Sequence, residues 1–229
     1  MAASDAKIQE AAGIIDREWA SVFTASGDRY ASPHITGYLG SINTVCGLIK
    51  SGNAYACRLN GSIYYDRAFL AMLMAGAASS LGTDGDLAAI FPIAHEWGHA
   101  VQYMLNLDYT NSPSRVEPDA DCLAGAIIGK SSQDGHLERG DLEEAEYALR
   151  VAGDPPLTSG VWGAAIEKIN SSAAPGATPV ITNAQGEHGN RRERIAAFQN
   201  GLKNGARQCI LGIPAMPRAT RSPWLPPLP

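Results

Sequence analysis

The sequence predicts an α+β fold that is mainly α-helical, and three observations carry that prediction. Residues 5–23 place apolar side chains at helical spacing, which is typical of an amphipathic helix. Residues 67–81 are apolar and rich in alanine, and they predict a buried helix. Residues 62–66 are the one good candidate for a strand. With 45% hydrophobic residues the chain can bury the core of a single domain, which we place at residues 1–212.

A short β-hairpin or small sheet is expected between these two helices. Residues 24–44 look rich in loops. Residues 55–66 predict a hairpin, because Asn60-Gly61 is a strong signal for a type I′ turn. On a strand, Tyr64 and Tyr65 point to opposite faces, so one is expected to face the core and the other the solvent or a cleft.

Several helices and a terminal tail are expected after residue 81. Residues 82–85 contain two glycines and end the apolar helix. The next helix is predicted to start or kink near Pro92, because proline lacks the backbone N–H and clashes with the preceding turn. Three further helices are predicted: one at 117–128, one that starts at Asp141 and has Leu142, Ala145 and Leu149 on one side, and one at 191–202. Residues 171–185 are predicted to form a surface loop. Residues 213–229, with six prolines, are predicted to form an extended or disordered tail.

Charge and hydropathy exclude two classes of partner. The formal net charge is −5 and the basic residues are scattered, so the chain has no footprint for nucleic acid. No apolar run reaches the roughly 18 residues that a membrane span requires. The first residues also lack the apolar segment of a signal peptide. The protein is therefore expected to be cytosolic, or to have lost a targeting segment.

His95, Glu96 and His99 form an HExxH motif in an apolar stretch. Histidines four residues apart lie on one face of a helix, so both imidazoles can bind one metal ion. Glu96 can then reach a water on that metal and act as its general base. This is the geometry of a zinc hydrolase. The alternative is a pair of core histidines held by hydrogen bonds.

Glu117 and Asp121 are the candidates that complete such a site. Catalytic zinc keeps three protein ligands and one open position, and Glu117 follows His99 by 18 residues. If this segment is helical, with Pro118 in its first turn, Asp121 shares the face of Glu117 and can accept a hydrogen bond from a zinc-bound histidine. An ExxxD arrangement resembles that of the thermolysin-like, or gluzincin, peptidases. The alternative is a solvated helix face.

Wider sequence features resemble the putative neutral zinc metallopeptidase family of bacteria. The resemblance runs in the same order through residues 45–47, 55–57, 63–66, 93–102, 117–125, 140–145, 188–194 and Cys209. It implies a zincin-like metallopeptidase core, one zinc ion per chain and hydrolysis of peptide bonds. It indicates the reaction class better than the substrate.

The same resemblance bears on the cysteines and on His188. Four cysteines permit three pairings; position together with the resemblance favours Cys46–Cys57 and Cys122–Cys209. These bridges favour an extracytoplasmic or secreted protein, and the alternative is four reduced thiols in a cytosolic core. His188 lies in a family-like His-Gly segment and is the candidate donor to the reaction's oxyanion. Alternatively it is a loop histidine, or a fourth ligand that closes the open position.

The function predicted from these features is that of a zinc metallopeptidase acting on a peptide or protein substrate. In thermolysin-like peptidases an edge strand above the active-site helix binds substrate by β-augmentation, and residues 62–66 are the candidate. Two alternatives stay open: a catalytically silent, zinc-containing binding or scaffold protein, and a zinc amidase acting on cell-wall peptides. The oligomeric state is open as well.

Overall fold

The computed structural model of the protein describes residues 2–152 and 191–215, which form seven α-helices and two small β-sheets. The helices are α1 (Ala2–Ser26), α2 (Arg67–Leu81), α3 (Asp86–Met104), α4 (Val116–Gln133), α5 (Asp141–Ala152), α6 (Arg191–Asn204) and α7 (Ala206–Cys209). The strands are β1 (His34–Tyr38), β2 (Ile42–Thr44), β3 (Gly47–Ile49), β4 (Ala54–Cys57) and β5 (Ser62–Asp66). The predicted α+β, mainly helical fold class is confirmed. The predicted loop at 171–185 and the tail beyond residue 215 lie outside the described residues.

The main sheet has three strands in the order β1-β5-β4, so β5 is central. It pairs in parallel with β1 and antiparallel with β4. The expectation that residues 24–44 are loops is therefore wrong, because they contain β1 and β2. The expectation that residues 62–66 form the edge strand for a substrate is wrong too, since both sides of β5 are already paired. The edge strand next to the helical core is β4.

Both faces of β5 are covered. Tyr65 belongs to the main core, and Tyr64 packs with Tyr38, Ile49 and Cys57 in a second, small cluster. The β2–β3 hairpin closes over this second face and is tied to β4 by the disulfide Cys46–Cys57. The prediction that one of the two tyrosines faces solvent or a cleft is wrong, because the β2–β3 hairpin buries that face, and its first strand lies in the segment that was expected to be rich in loops.

The β4–β5 hairpin is confirmed, but its turn differs from the predicted one. Cys57 pairs with Ser62, which leaves a loop of residues 58–61. A type I′ turn needs positive φ at both Asn60 and Gly61, and of these two only Gly61 has it, at 67°. The amide of Gly61 donates to the carbonyl of Cys57 at 2.9 Å. The chain therefore closes through a longer loop.

Helix α3 begins at Asp86, so Pro92 lies inside the helix and the predicted start near Pro92 is wrong. The carboxylate of Glu144, on α5, accepts hydrogen bonds from the backbone amides of Gly85 and Leu87 at 3.0 and 2.8 Å. These amides belong to the unsatisfied first turn of a helix. The Glu144 side chain therefore stabilises the helical turn that precedes Pro92, so that α3 can begin at Asp86.

Helices α1, α2, α4 and α5 pack against α3, which is buried on nearly all sides. Helices α4 and α6 approach each other closely: a Cβ on Gly201 would lie 1.8 Å from the carbonyl oxygen of Cys122, and one on Gly125 2.1 Å from that of Phe198. The predicted disulfide Cys122–Cys209 links α4 to α7, with Cα atoms 5.5 Å apart. The C-terminal helices are thus held firmly against α4.

Three smaller predictions have clear outcomes. Pro118 does lie in the first turn of α4. The helix predicted from Asp141 is α5, and its buried side carries Ala145, Ala148 and Leu149, whereas Leu142 is exposed. The start of the expected tail is tied down by a β-bridge between Leu107 and Ala215. No helix in residues 2–152 and 191–215 has both the length and the apolar character to cross a bilayer.

Candidate metal centre

Three predicted ligands, His95, His99 and Glu117, come together where α3 meets the first turn of α4. The Nε2 atom of His95 lies 3.2 Å from one carboxylate oxygen of Glu117, and the Nε2 atom of His99 lies 3.4 Å from the other. The donor atoms all lie within 4.8 Å of one another. Both histidines are buried, while the Glu117 side chain is 23% exposed, so solvent reaches the cluster from the side of Glu117.

This spacing is compatible with a bound zinc ion. Zinc bonds of about 2.1 Å to nitrogen and oxygen place neighbouring ligand atoms about 3.4 Å apart. The two separations of 3.2 and 3.4 Å, each to a different oxygen of Glu117, are close to that value. The Nε2 atom of His95 is buried, and the Glu117 carboxylate lies 3.2 Å from it without the geometry of a regular hydrogen bond. A buried polar atom without a regular hydrogen bond is costly, and a metal bond removes that cost.

The outer nitrogens of both imidazoles are bound to acceptors. The Nδ1 atom of His95 lies 2.8 Å from Asp121 Oδ1, and the Nδ1 atom of His99 lies 2.9 Å from Gln102 Oε1. The amide nitrogen of Gln102 donates to the carbonyl of Val116 at 2.8 Å, which turns its oxygen toward His99. An acceptor at Nδ1 requires the proton there, so in each neutral ring the lone pair is on Nε2, toward Glu117.

The carboxylates around the histidines favour a cation. Burial lowers the pKa of His95, but the charge and hydrogen bond of Asp121, with Glu117, outweigh it and raise the pKa to about 10. Burial also lowers the pKa of His99, and Glu117 together with Glu96 more than offsets that. A metal ion competes with protons for the same lone pairs. The negative field that raises both pKa values therefore also attracts a divalent cation.

Glu96 lies on the same helix and contacts the edge strand. Its Oε2 atom accepts a hydrogen bond from the backbone amide of Ala56, on β4, at 2.7 Å. The carboxylate is buried, and its charge contributes to raising the pKa of His99. The structure therefore places Glu96 between the histidine cluster and the edge of the sheet.

Asp121 is held by an arginine that sequence reasoning missed. Arg194, on α6, donates from Nε to Asp121 Oδ2 at 2.7 Å and from Nη2 to Oδ1 at 2.8 Å. Both side chains are almost fully buried. Sequence reasoning also missed Gln102. The available signals were the family-like segment that ends at Arg194 and the three-residue spacing from His99 to Gln102, which places both on one helix face.

Tyr103 and Arg58 lie at the rim of the cluster. The ring of Tyr103 stacks on that of His99, with centroids 6.4 Å apart and planes at 19°. The guanidinium of Arg58, from the β4–β5 loop, lies 5.7 Å from the centre of the Tyr103 ring. Trp97 on the same helix is a core residue, whereas Tyr103 is half-buried beside the site.

A second group of carboxylates, Asp84, Asp86, Asp141 and Glu144, is explained without an ion. The ammonium of Lys7 forms hydrogen bonds with Asp84 and with Asp86, the latter at 2.9 Å. Glu144 is engaged by the amides at the start of α3. His188, the predicted oxyanion donor, lies outside the described residues.

The comparisons with known proteins agree with this geometry. The family described as putative neutral zinc metallopeptidase matches residues 4–209, and the chain belongs to that family. The uncharacterized protein YpfJ of Escherichia coli K12 is 29% identical over 202 residues, covering 82% of this chain and 63% of YpfJ. The uncharacterized protein Rv2575 of Mycobacterium tuberculosis H37Rv is 31% identical over 154 residues, covering 58% of this chain and 52% of its own length.

This chain therefore spans less than two thirds of the length of these relatives. No solved structure was found to match it.

Proposed function

We propose that the protein is a zinc metallopeptidase with a zincin-like core that hydrolyses peptide bonds in a peptide or protein substrate. The observation that carries this proposal is the convergence of two imidazole nitrogens and one carboxylate within metal-binding distance of one another, with Glu96 beside them. Family membership supports the same reaction class.

In this proposal His95, His99 and Glu117 hold one zinc ion per chain. Zinc in such a site supplies a Lewis acid and lowers the pKa of its water to about 7. Asp121 and Gln102 keep the proton of each imidazole on Nδ1, so that both Nε2 atoms remain available as ligands. The partial exposure of Glu117 leaves the open side for substrate.

Glu96 is the proposed general base. Its carboxylate takes the proton of the attacking water and passes it to the amine that leaves. The amide of Ala56 donates to Oε2 and thereby fixes the direction of the carboxylate. His188 remains the proposed donor to the negative charge that develops on the carbonyl oxygen.

The strand that fits a substrate-binding role is β4 rather than β5. One side of β4 pairs with β5, and β4 is one of the two outer strands of this sheet, the other being β1. The contact between Ala56 and Glu96 places β4 beside the proposed general base. An extended peptide that adds to this edge brings its backbone to the cluster.

We also propose that the protein works outside the cytoplasm. Both disulfides of the described residues close over elements that carry the site: β4 next to Glu96, and α4 next to Asp121. Disulfides persist in oxidising compartments, and cytosolic thiols are kept reduced.

The proposal is tested by removing and restoring the metal. The purified chain is expected to contain one equivalent of zinc and to cleave members of an unbiased peptide library. Removal of the metal with a chelator is expected to abolish cleavage, and one equivalent of zinc to restore it. Cleavage that is unchanged in the metal-free protein would exclude the proposed chemistry, and stoichiometric zinc without cleavage of any peptide would favour the scaffold alternative.

A further inference from the structure

The carboxylate oxygen of Asp121 that contacts His95 also accepts a hydrogen bond from Arg194. Asp121 Oδ1 lies 2.8 Å from His95 Nδ1 and also accepts from Arg194 Nη2 at 2.8 Å. Asp121 Oδ2 accepts from Arg194 Nε at 2.7 Å. Two parallel bonds from one guanidinium fix both the plane and the rotation of a carboxylate. The direction in which Oδ1 faces His95 is therefore set by Arg194.

We propose that Arg194 is a positioning residue of the metal centre, acting through Asp121 to hold the His95 imidazole with Nε2 toward Glu117. This inference rests on the proposed zinc site, and it adds a residue whose described hydrogen bonds go to Asp121. Arg194 is 73 residues away from Asp121 in the sequence and is delivered by a different helix.

The packing around Arg194 leaves this pair little freedom. Close contact at Gly201 and Gly125 brings the backbones of α4 and α6 together. The disulfide Cys122–Cys209 joins α4, at the residue after Asp121, to the helix that follows α6. The guanidinium and the carboxylate are thus held on two helices that cannot easily separate, which is what precise orientation of a ligand requires.

Stability alone does not account for a buried pair of this kind. The Asp121 side chain is fully buried and that of Arg194 is 3% exposed. Replacing a buried ion pair by apolar side chains of similar size is often neutral or stabilising, because removing both charges from water is costly. Arginine is also suited to the geometry, since lysine cannot form two parallel bonds to one carboxylate. The pair is therefore better explained by the orientation that it gives to His95.

The test is zinc affinity, measured on the purified full chain by competition with chelators of known strength. Removing an outer partner of a ligand typically weakens metal binding by about 10- to 100-fold, and Arg194→Met is expected to fall in that range. Arg194→Lys keeps the positive charge and loses the paired bonds, so its affinity should lie between those of wild type and Arg194→Met. Lys203→Met, at an exposed position on the same helix, is the matched control and should match wild type.

A double-mutant cycle separates positioning from a merely structural role. If Arg194 acts through Asp121, then Arg194→Met should change zinc affinity little in an Asp121→Asn background. The absorption spectrum of bound Co²⁺ should also change in Arg194→Lys, because that spectrum reports the arrangement of the ligands. Arg194→Lys preserves the buried charge, so it can be used as the test variant if Arg194→Met does not fold.

Additive effects of the two substitutions, or an Arg194→Lys protein with wild-type zinc affinity and an unchanged Co²⁺ spectrum, would overturn the inference while leaving the zinc site in place. A wild-type protein that binds neither zinc nor Co²⁺ would instead overturn the proposed function, and the inference with it.

Discussion

The two imidazoles of the candidate metal centre are held by chemically different partners. His95 contacts a carboxylate that is itself paired with an arginine, and His99 contacts the neutral amide of Gln102. Hydrogen bonds to a charged group are roughly twice as strong as those between neutral groups. The two ligands should therefore depend unequally on their outer partners.

Asp121→Ala is expected to weaken zinc binding by about 10- to 100-fold, and Gln102→Leu to weaken it less. Both substitutions remove the acceptor at a histidine Nδ1, but only the first removes a charge. Competition with a chelator measures both affinities under one set of conditions. A larger loss for Gln102→Leu would show that the charge on the His95 side is not the stronger constraint.

Glu117→Ala is expected to lose most of the zinc, because it removes the only carboxylate of the three-ligand cluster. Metal analysis after gel filtration gives the occupancy. Glu143→Ala, on an exposed face of α5, is the matched control and should keep its zinc. Full zinc occupancy in Glu117→Ala would show that another residue is the third ligand, and Asp121 and His188 would be the next candidates.

The sequence was sufficient to predict those site residues whose spacing is local. His95, Glu96 and His99 share one helix face, and Glu117 and Asp121 share another, so helical geometry alone relates the members of each set. Arg194 could not be predicted in the same way. Its partner depends on how closely α6 packs against α4, and no local pattern contains that information.

At the scale of elements, the start of α3 depends on a residue of α5. Glu144 is fully buried, and its two oxygens satisfy the amides of Gly85 and Leu87. The helix carries both histidines at its centre, beyond the internal Pro92. Its N-terminal turn is therefore stabilised by a tertiary contact.

Glu144→Ala is expected to lower the free energy of unfolding by about 2 to 6 kcal/mol, because two buried amides each lose an acceptor at about 1 to 3 kcal/mol. Glu143→Ala changes the neighbouring exposed residue and should stay within about 0.5 kcal/mol of wild type. Urea unfolding followed by circular dichroism measures both. Equal stability of the two variants would show that the Glu144 contacts do not hold the start of α3.

Elements with a strong local pattern were predicted well, and elements defined by pairing were not. Helix α2 was predicted with its observed limits, Arg67–Leu81. Strand β1 was missed because His34, Thr36 and Gly37 give it no regular alternation, and its pairing with β5 is parallel and distant in sequence. The edge strand was misassigned for the same reason.

At the scale of the whole molecule, two disulfides attach distant segments to the elements that carry the metal centre. The first disulfide fixes the hairpin lobe to β4, and the second fixes the C-terminal helices to α4. Each bridge lies one residue from a group that contacts the site: Cys57 follows Ala56, and Cys122 follows Asp121.

Removing Cys122–Cys209 is expected to cost more stability than removing Cys46–Cys57. The bridges span 87 and 11 residues. In the loop-entropy model these separations correspond to about 4.6 and about 3 kcal/mol. Guanidinium unfolding of the two double Cys→Ala variants gives the order, and mass mapping without reductant confirms the pairing. The opposite order would show that loop entropy does not govern the difference.

The most direct test of the central claim is Glu96→Gln, measured for zinc content and peptide cleavage in the same preparation. The variant is expected to keep one zinc per chain, since Glu96 is not a proposed ligand, and to lose about 10²- to 10⁴-fold in rate, as is typical when general-base assistance is removed. Glu143→Gln should leave both quantities unchanged. A Glu96→Gln protein that keeps its zinc and cleaves within twofold of wild type would contradict the proposed mechanism.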